Sequence, residues 1–223
     1  MIQGKYGSLP YRYRKMSKVG MIKDKINSEL RKRFLQEIKK SKETDIERGF
    51  HICIEKDGKL SAGDTCTGDK CSLKFQHVDI SCPGKKVQGD FHTHPYLSDV
   101  RKKFGLTHMK VSDQLIRSAT GAFLEERGMT PTIPTQGDII SAILGKCSKR
   151  TNGTTCIGSD LDESKVECWT AKDIGDGDCF TAFMEQISPK DTESKLPKDW
   201  VMPLFEKEMI NLKKDGYDNT RRI

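Results

Sequence analysis

The stretch Gly89-Asp90-Phe91-His92-Thr93-His94-Pro95 limits the fold more than any other part of the chain. Side chains two apart on a β-strand share a face, so an extended backbone here projects His92 and His94 together. Pro95 has no N–H to give to a ladder, so the strand ends there and the second imidazole lies at the rim of a sheet. Zinc takes imidazole nitrogens, and a catalytic zinc keeps three protein ligands and one position for water. The chain therefore needs a strand whose end opens onto a site, and other elements that bring a third ligand and a proton acceptor to it.

The 223 residues suffice for one domain with elaborations or a small appendage. With 35% hydrophobic and 32% charged residues there is apolar material for one core under a heavily charged surface. No run approaches the ~20 apolar residues of a membrane span, and the first residues lack the apolar segment of a leader. The expectation is a cytoplasmic protein without membrane contact. The net charge of +7 is unevenly placed: residues 1–42 hold 13 Lys or Arg against 3 Asp or Glu. A solvated, lysine-rich helix face accounts for this, with nucleic acid or an acidic partner as the alternative. Eight cysteines are many for a cytosolic protein, yet the chain is too long for a small secreted disulfide framework.

Along the chain, residues 1–22 read as a basic arm with a short strand at its end. Ile26, Leu30, Phe34, Leu35 and Ile38 fall at helical spacing within a helix expected over about 24–42. Phe50 to Ile54 alternates as a strand, and Asp57-Gly58 turns it into a hairpin. Val87 to His94 is the histidine strand. Ser112 or Asp113 caps a helix whose apolar set is Leu115, Ile116, Ala119, Ala122 and Phe123. Thr135 opens another helix, bearing Ile139, Ile140, Ile143 and Leu144. Two strands follow, over 154–158 and 165–170. Asp173 to Asp178 reads as a loop, and a last helix is expected around 204–212.

Asp138, three residues after Thr135, is the candidate third ligand. Thr and Asp at that spacing also make a capping box, and a carboxylate there suits the helix dipole. Beside His92-Thr93-His94 the ligand reading is preferred. The strand ending in His92-Thr93-His94-Pro95, followed by Pro134-Thr135-Gln136-Gly137-Asp138, resembles the JAMM/MPN metalloproteases, or JAB domains. Their signature is a glutamate, then His-Ser/Thr-His, then Ser/Thr-x-x-Asp. Glu47, at the start of the first strand, matches the glutamate; Glu55, at its far end beside a turn, reads as a solvated carboxylate.

The resemblance implies an α/β fold, a JAB/MPN-like mixed β-sheet sandwiched by helices. It would occupy residues 23–180, with a C-terminal extension over 181–223. The family's gap between the second histidine and the Ser/Thr is short, whereas 40 residues separate His94 from Thr135. Residues of about 96–133 then form a helical insertion at the mouth of the site, either a lid or recognition element or a packing elaboration. The implied activity is zinc-dependent hydrolysis of peptide or isopeptide bonds, with a ubiquitin-like protein or its conjugates as substrate. His92, His94 and Asp138 would hold Zn2+, Glu47 would act as general base and Thr135 would stabilise the oxyanion. A non-catalytic JAB-like scaffold, binding a partner or nucleic acid through its basic arm, is the alternative.

Cys66, Cys71, His77 and Cys82 form a possible second, structural zinc set, although a disulfide or reduced thiols suit the spacing as well. Cys147, Cys156 and Cys168 read as buried free cysteines. His51, inside an apolar strand, reads as a core residue.

Overall fold

The computed structural model describes residues 16–18, 26–68, 81–97, 100–101, 108, 110, 112–126, 130–172 and 174–187. The first 15 residues of the arm, Cys71, His77 and the helix expected around 204–212 lie outside them. The elements in chain order are β1 (Met16–Lys18), α1 (Ser28–Thr44), β2 (Arg48–Ile54), β3 (Leu60–Ala62), β4 (Cys66–Thr67) and β5 (Lys86–His94). They continue with α2 (Asp113–Glu126), α3 (Gln136–Cys147), β6 (Thr151–Ser159), β7 (Asp162–Ala171) and α4 (Asp176–Ile187).

The strands form one mixed sheet in the order β1-β7-β6-β5-β2-β3, with β4 also on β2. Among the described pairings only β5 with β6 is parallel, and α3 supplies the crossover that a parallel pair requires. α1 begins at Asn27, whose side chain accepts from the Leu30 N–H, and lays Leu30, Phe34 and Ile38 on one face of the sheet. There Phe34, Phe50 and Phe91 stack with ring centroids 4.5–5.7 Å apart. The opposite face is covered by α3 and α4, through Ile139, Ile140, Ile143, Leu144, Ala182 and Phe183. Each buried Ile, Leu or Phe among them contributes roughly 2 kcal/mol. The chain is thus mixed α/β, with helices on both faces of its sheet.

Several expectations change. On α2 the buried residues are Ile116 and Leu124, while Leu115, Ala119 and Ala122 are exposed. The helix is seated by Arg117, which reaches the buried Asp160 and so sets its rotation. Within the loop expected over Asp173–Asp178, the residues from Asp176 on instead start α4. Gly175 and Gly177 hid the helix from its composition, but the Gly175 N–H returns to Asp178 Oδ2 at 2.9 Å and closes its first turn.

The second zinc set is also overturned. Cys82 is bonded to Cys53, and Cys66 is in a disulfide as well, so neither offers a thiolate. Cys147 pairs with Cys179 and Cys156 with Cys168, so the cysteines read as free thiols are cross-links. Cys156 and Cys168 face each other across β6 and β7, which brings their Cα atoms within 4.0 Å.

Candidate metal centre

The residues singled out in the sequence meet at one end of the sheet. β5 ends at His94, β2 runs antiparallel and begins beside it, and α3 starts there. In α/β sheets, ligands gather outside the carboxyl ends of parallel strands, which is where β5 and β6 end here.

A bulge decides which face the histidines occupy. Ile52 pairs with Gly89 but Cys53 with Val87, which leaves Gln88 as an extra residue in β5. Without it, Asp90, His92 and His94 would point at α1; with it they point toward α3. The side chain of Gln88 fills the irregularity, donating to Thr154 Oγ1 at 2.9 Å and accepting from Asn152 at 3.0 Å. Gly89 follows because β6 presses against it: a Cβ there would lie 1.7 Å from the Thr154 carbonyl oxygen.

The alternate residues of β5 serve the other face. Thr93 donates to Ser41 of α1 at 2.8 Å and accepts the Arg48 N–H at 3.0 Å. Arg48 donates to the buried Glu37 of α1 at 2.6 Å. These contacts fix the start of β2. With Gly49 opposite His92, the same register carried two residues further sets Glu47 across from His94.

His92, His94 and Asp138 offer ligand atoms that all lie within 4.8 Å of one another. The two Nε2 atoms are 3.1 Å apart. Asp138 Oδ1 is 3.2 Å from His92 Nε2, and Oδ2 is 3.5 Å from His94 Nε2. Bonds of about 2.0–2.1 Å in a tetrahedron place neighbouring ligands roughly 3.3 Å apart, so the set fits a zinc ion. No family model, curated protein or solved structure matches this chain. The site therefore rests on its own geometry.

Asp138 is cap and candidate ligand together. Its Oδ2 accepts from the Thr135 N–H at 2.6 Å and hydroxyl at 2.7 Å, and its own N–H returns to Thr135 Oγ1 at 3.4 Å. The Thr135 hydroxyl proton is thus directed at Asp138, and Thr135 acts on the centre by orienting that carboxylate. Burial would raise the Asp138 carboxyl, but His92 and His94 outweigh it and hold it well below the usual range. For His92 burial works toward the neutral ring, and Asp138 and Asp90 prevail, raising it well above an ordinary histidine.

Glu47 is raised, first by loss of water around its carboxyl. His92 and His94 pull it down, while Asp138 and Asp90 push it further up. The residue as a whole still reaches solvent, as a base at a cleft mouth must. Glu55, by contrast, pairs with Lys85 and Ser61 at the other end of β2.

Two residues were missed in the sequence. Asp90 accepts from His92 Nδ1 at 2.8 Å, and its signal was a carboxylate one strand period before the first histidine. Tyr96, one period after the second, turns its ring edge to His94 at 6.3 Å and donates to the Pro131 carbonyl at 3.0 Å. Burial, then the charges of Asp160 and Asp138, push its hydroxyl up to about 12.

Proposed function

We propose that the chain is a zinc-dependent hydrolase of the JAMM/MPN type that cleaves peptide or isopeptide bonds. The observation that carries this reading is the meeting of His92, His94 and Asp138 at tetrahedral spacing, with a raised carboxyl at Glu47 beside them. Zinc bound there would supply a water acidified toward neutrality and a Lewis acid for the scissile carbonyl. Glu47 would take the proton of the attacking water on its carboxylate and return it to the leaving nitrogen. Thr135 would hold Asp138 in its ligating rotamer. The oxyanion role expected for Thr135 requires its hydroxyl to turn away from Asp138 Oδ2.

Among the described residues no helix is long and apolar enough to cross a membrane. Disulfides persist in oxidising surroundings or in hyperthermophile cells, and Cys53, Cys82, Cys147, Cys156, Cys168 and Cys179 are all paired. That pairing favours a peptide-bond substrate outside a reducing cytoplasm over cytoplasmic conjugates of a ubiquitin-like protein.

Metal analysis of the purified protein is expected to find about one zinc per chain, lost in His92→Ala with His94→Ala. Against a panel of unstructured peptides and ubiquitin-like fusions, Glu47→Gln is expected to keep the zinc and lower cleavage about 10²–10⁴-fold. A zinc-free protein, or cleavage indifferent to Glu47→Gln, overturns the reading.

A further inference from the structure

Behind His92 three strands contribute one polar row on the α3 side of the sheet: His51 of β2, Asp90 of β5 and Thr155 of β6, paired across the ladder. Asp90 Oδ2 accepts from both His92 Nδ1, at 2.8 Å, and the hydroxyl of the fully buried Thr155, at 3.0 Å. A carboxylate only accepts, so the proton of that bond belongs to Nδ1. Nε2 is then the nitrogen that faces His94 Nε2 and Asp138 Oδ1. Asp90 has little freedom to leave this position. It lines, with His51, Ser141 and Thr154, a small cavity with room for about one water.

We propose that Asp90, held by Thr155, is the positioning residue of the metal centre: it fixes the ring of His92 with Nδ1 protonated and Nε2 turned to the ion. The assignment rests on the metal reading of the site and not on any bond being cleaved there. The bulge at Gln88 is part of the device, because it turns Asp90 and His92 together to the α3 face. Outer partners of this kind orient a ligand and raise its basicity, so their loss weakens the metal without removing a bond to it.

The test is zinc affinity of the full chain, by competition with a chromophoric chelator, together with the visible spectrum of the cobalt-loaded protein. Asp90→Ala is expected to weaken zinc binding about 10–100-fold and to change the cobalt spectrum. Asp90→Asn keeps an acceptor oxygen and is expected to recover most of the loss. Thr155→Val frees the carboxylate but leaves it in place, so it is expected to weaken zinc by a smaller factor, and it serves if Asp90→Ala does not fold. In the zinc-loaded protein, nitrogen NMR is expected to show a protonated Nδ1 on His92. Wild-type affinity and spectrum in a folded Asp90→Ala, or in Thr155→Val where the alanine variant is unfolded, overturn the proposal while leaving the hydrolase reading intact. The same holds for an Nδ1 found without its proton. Zinc that follows Asp90 in a protein that cleaves nothing leaves this assignment standing and removes the hydrolase. A wild-type chain that binds no zinc removes both.

Discussion

Asp138 faces the helix start and the site at once, with Oδ2 shared between the Thr135 cap and His94 Nε2 at 3.5 Å. Oδ2 closes the first turn of α3 with Thr135, and Oδ1 turns to His92. Read from the sequence, cap and ligand were competing explanations of one residue; in the folded chain the cap is made and the ligand role is compatible with it, since a helix start and a metal both favour a carboxylate. The charges have a consequence for the metal-free protein. His92 is raised, so its contribution to stability is complete below about pH 6.5 and is lost as pH climbs through the higher folded value. Asp138 is lowered, so its contribution is present above about pH 4 and is lost as pH falls through the folded value. Between these limits the pair stabilises the empty site. Thermal melts in chelator are expected to show a midpoint that declines as pH is raised above neutrality, with a smaller decline in Asp138→Asn. Identical pH profiles for the two proteins would count against the ion pair.

At the scale of elements, the insertion between β5 and α3 is fastened at both ends and in its middle. Asp160, at the turn from β6 to β7, accepts from the Tyr96 N–H and from Arg117 Nε, each at 3.1 Å. Arg117 also donates to the Lys42 carbonyl near the end of α1, at 3.1 Å. The far end is held by Trp169 Nε1 on the Thr132 carbonyl at 3.1 Å and by the Thr132 hydroxyl on Glu167 at 2.6 Å. Arg117→Ala leaves the buried Asp160 carboxylate without its cation, which costs about 3 kcal/mol or more. Hydrogen exchange is expected to rise over α2 and to stay unchanged along β5 and β6. An unchanged α2 would mean that the helix is held by Ile116 and Leu124 alone. Of the apolar set expected on α2, Ile116 is buried but Leu115, Ala119 and Ala122 are exposed, because the seat of the helix is set by this charged contact, which no periodicity records.

Across the whole molecule two of the described cross-links, Cys53–Cys82 and Cys147–Cys179, lie away from the candidate metal site. Glu47, His94 and Asp138 stand at the start of β2, the end of β5 and the start of α3. Cys53, Cys82 and Cys147 stand near the end of β2, before β5 and at the end of α3. Those two disulfides hold the end of the fold away from the candidate site, whereas Cys156–Cys168 crosses the middle of the sheet and disulfide-bonded Cys66 pairs with Gly49, the residue opposite His92. The bridges close separations of 29, 32 and 12 residues, each worth about 3 kcal/mol in chain entropy. Against the 5–15 kcal/mol of an ordinary domain, their loss is decisive. Full reduction by a phosphine is expected to lower the melting midpoint by about 10 °C or more, or to unfold the chain at room temperature. A midpoint indifferent to reductant would mean that the thiols are unpaired. By itself the sequence determined the histidine strand and the α3 core of Ile139, Ile140, Ile143 and Leu144, because strand period and helix period are local rules; Glu47 was preferred to Glu55 on the family pattern it resembles. Only the tertiary structure decided the face that the bulge at Gln88 selects, the service of Asp90 to His92, the seat of α2 on Asp160 and the partner of each described cysteine pair. Those depend on which distant segments the sheet brings side by side, and local patterning carries no term for that.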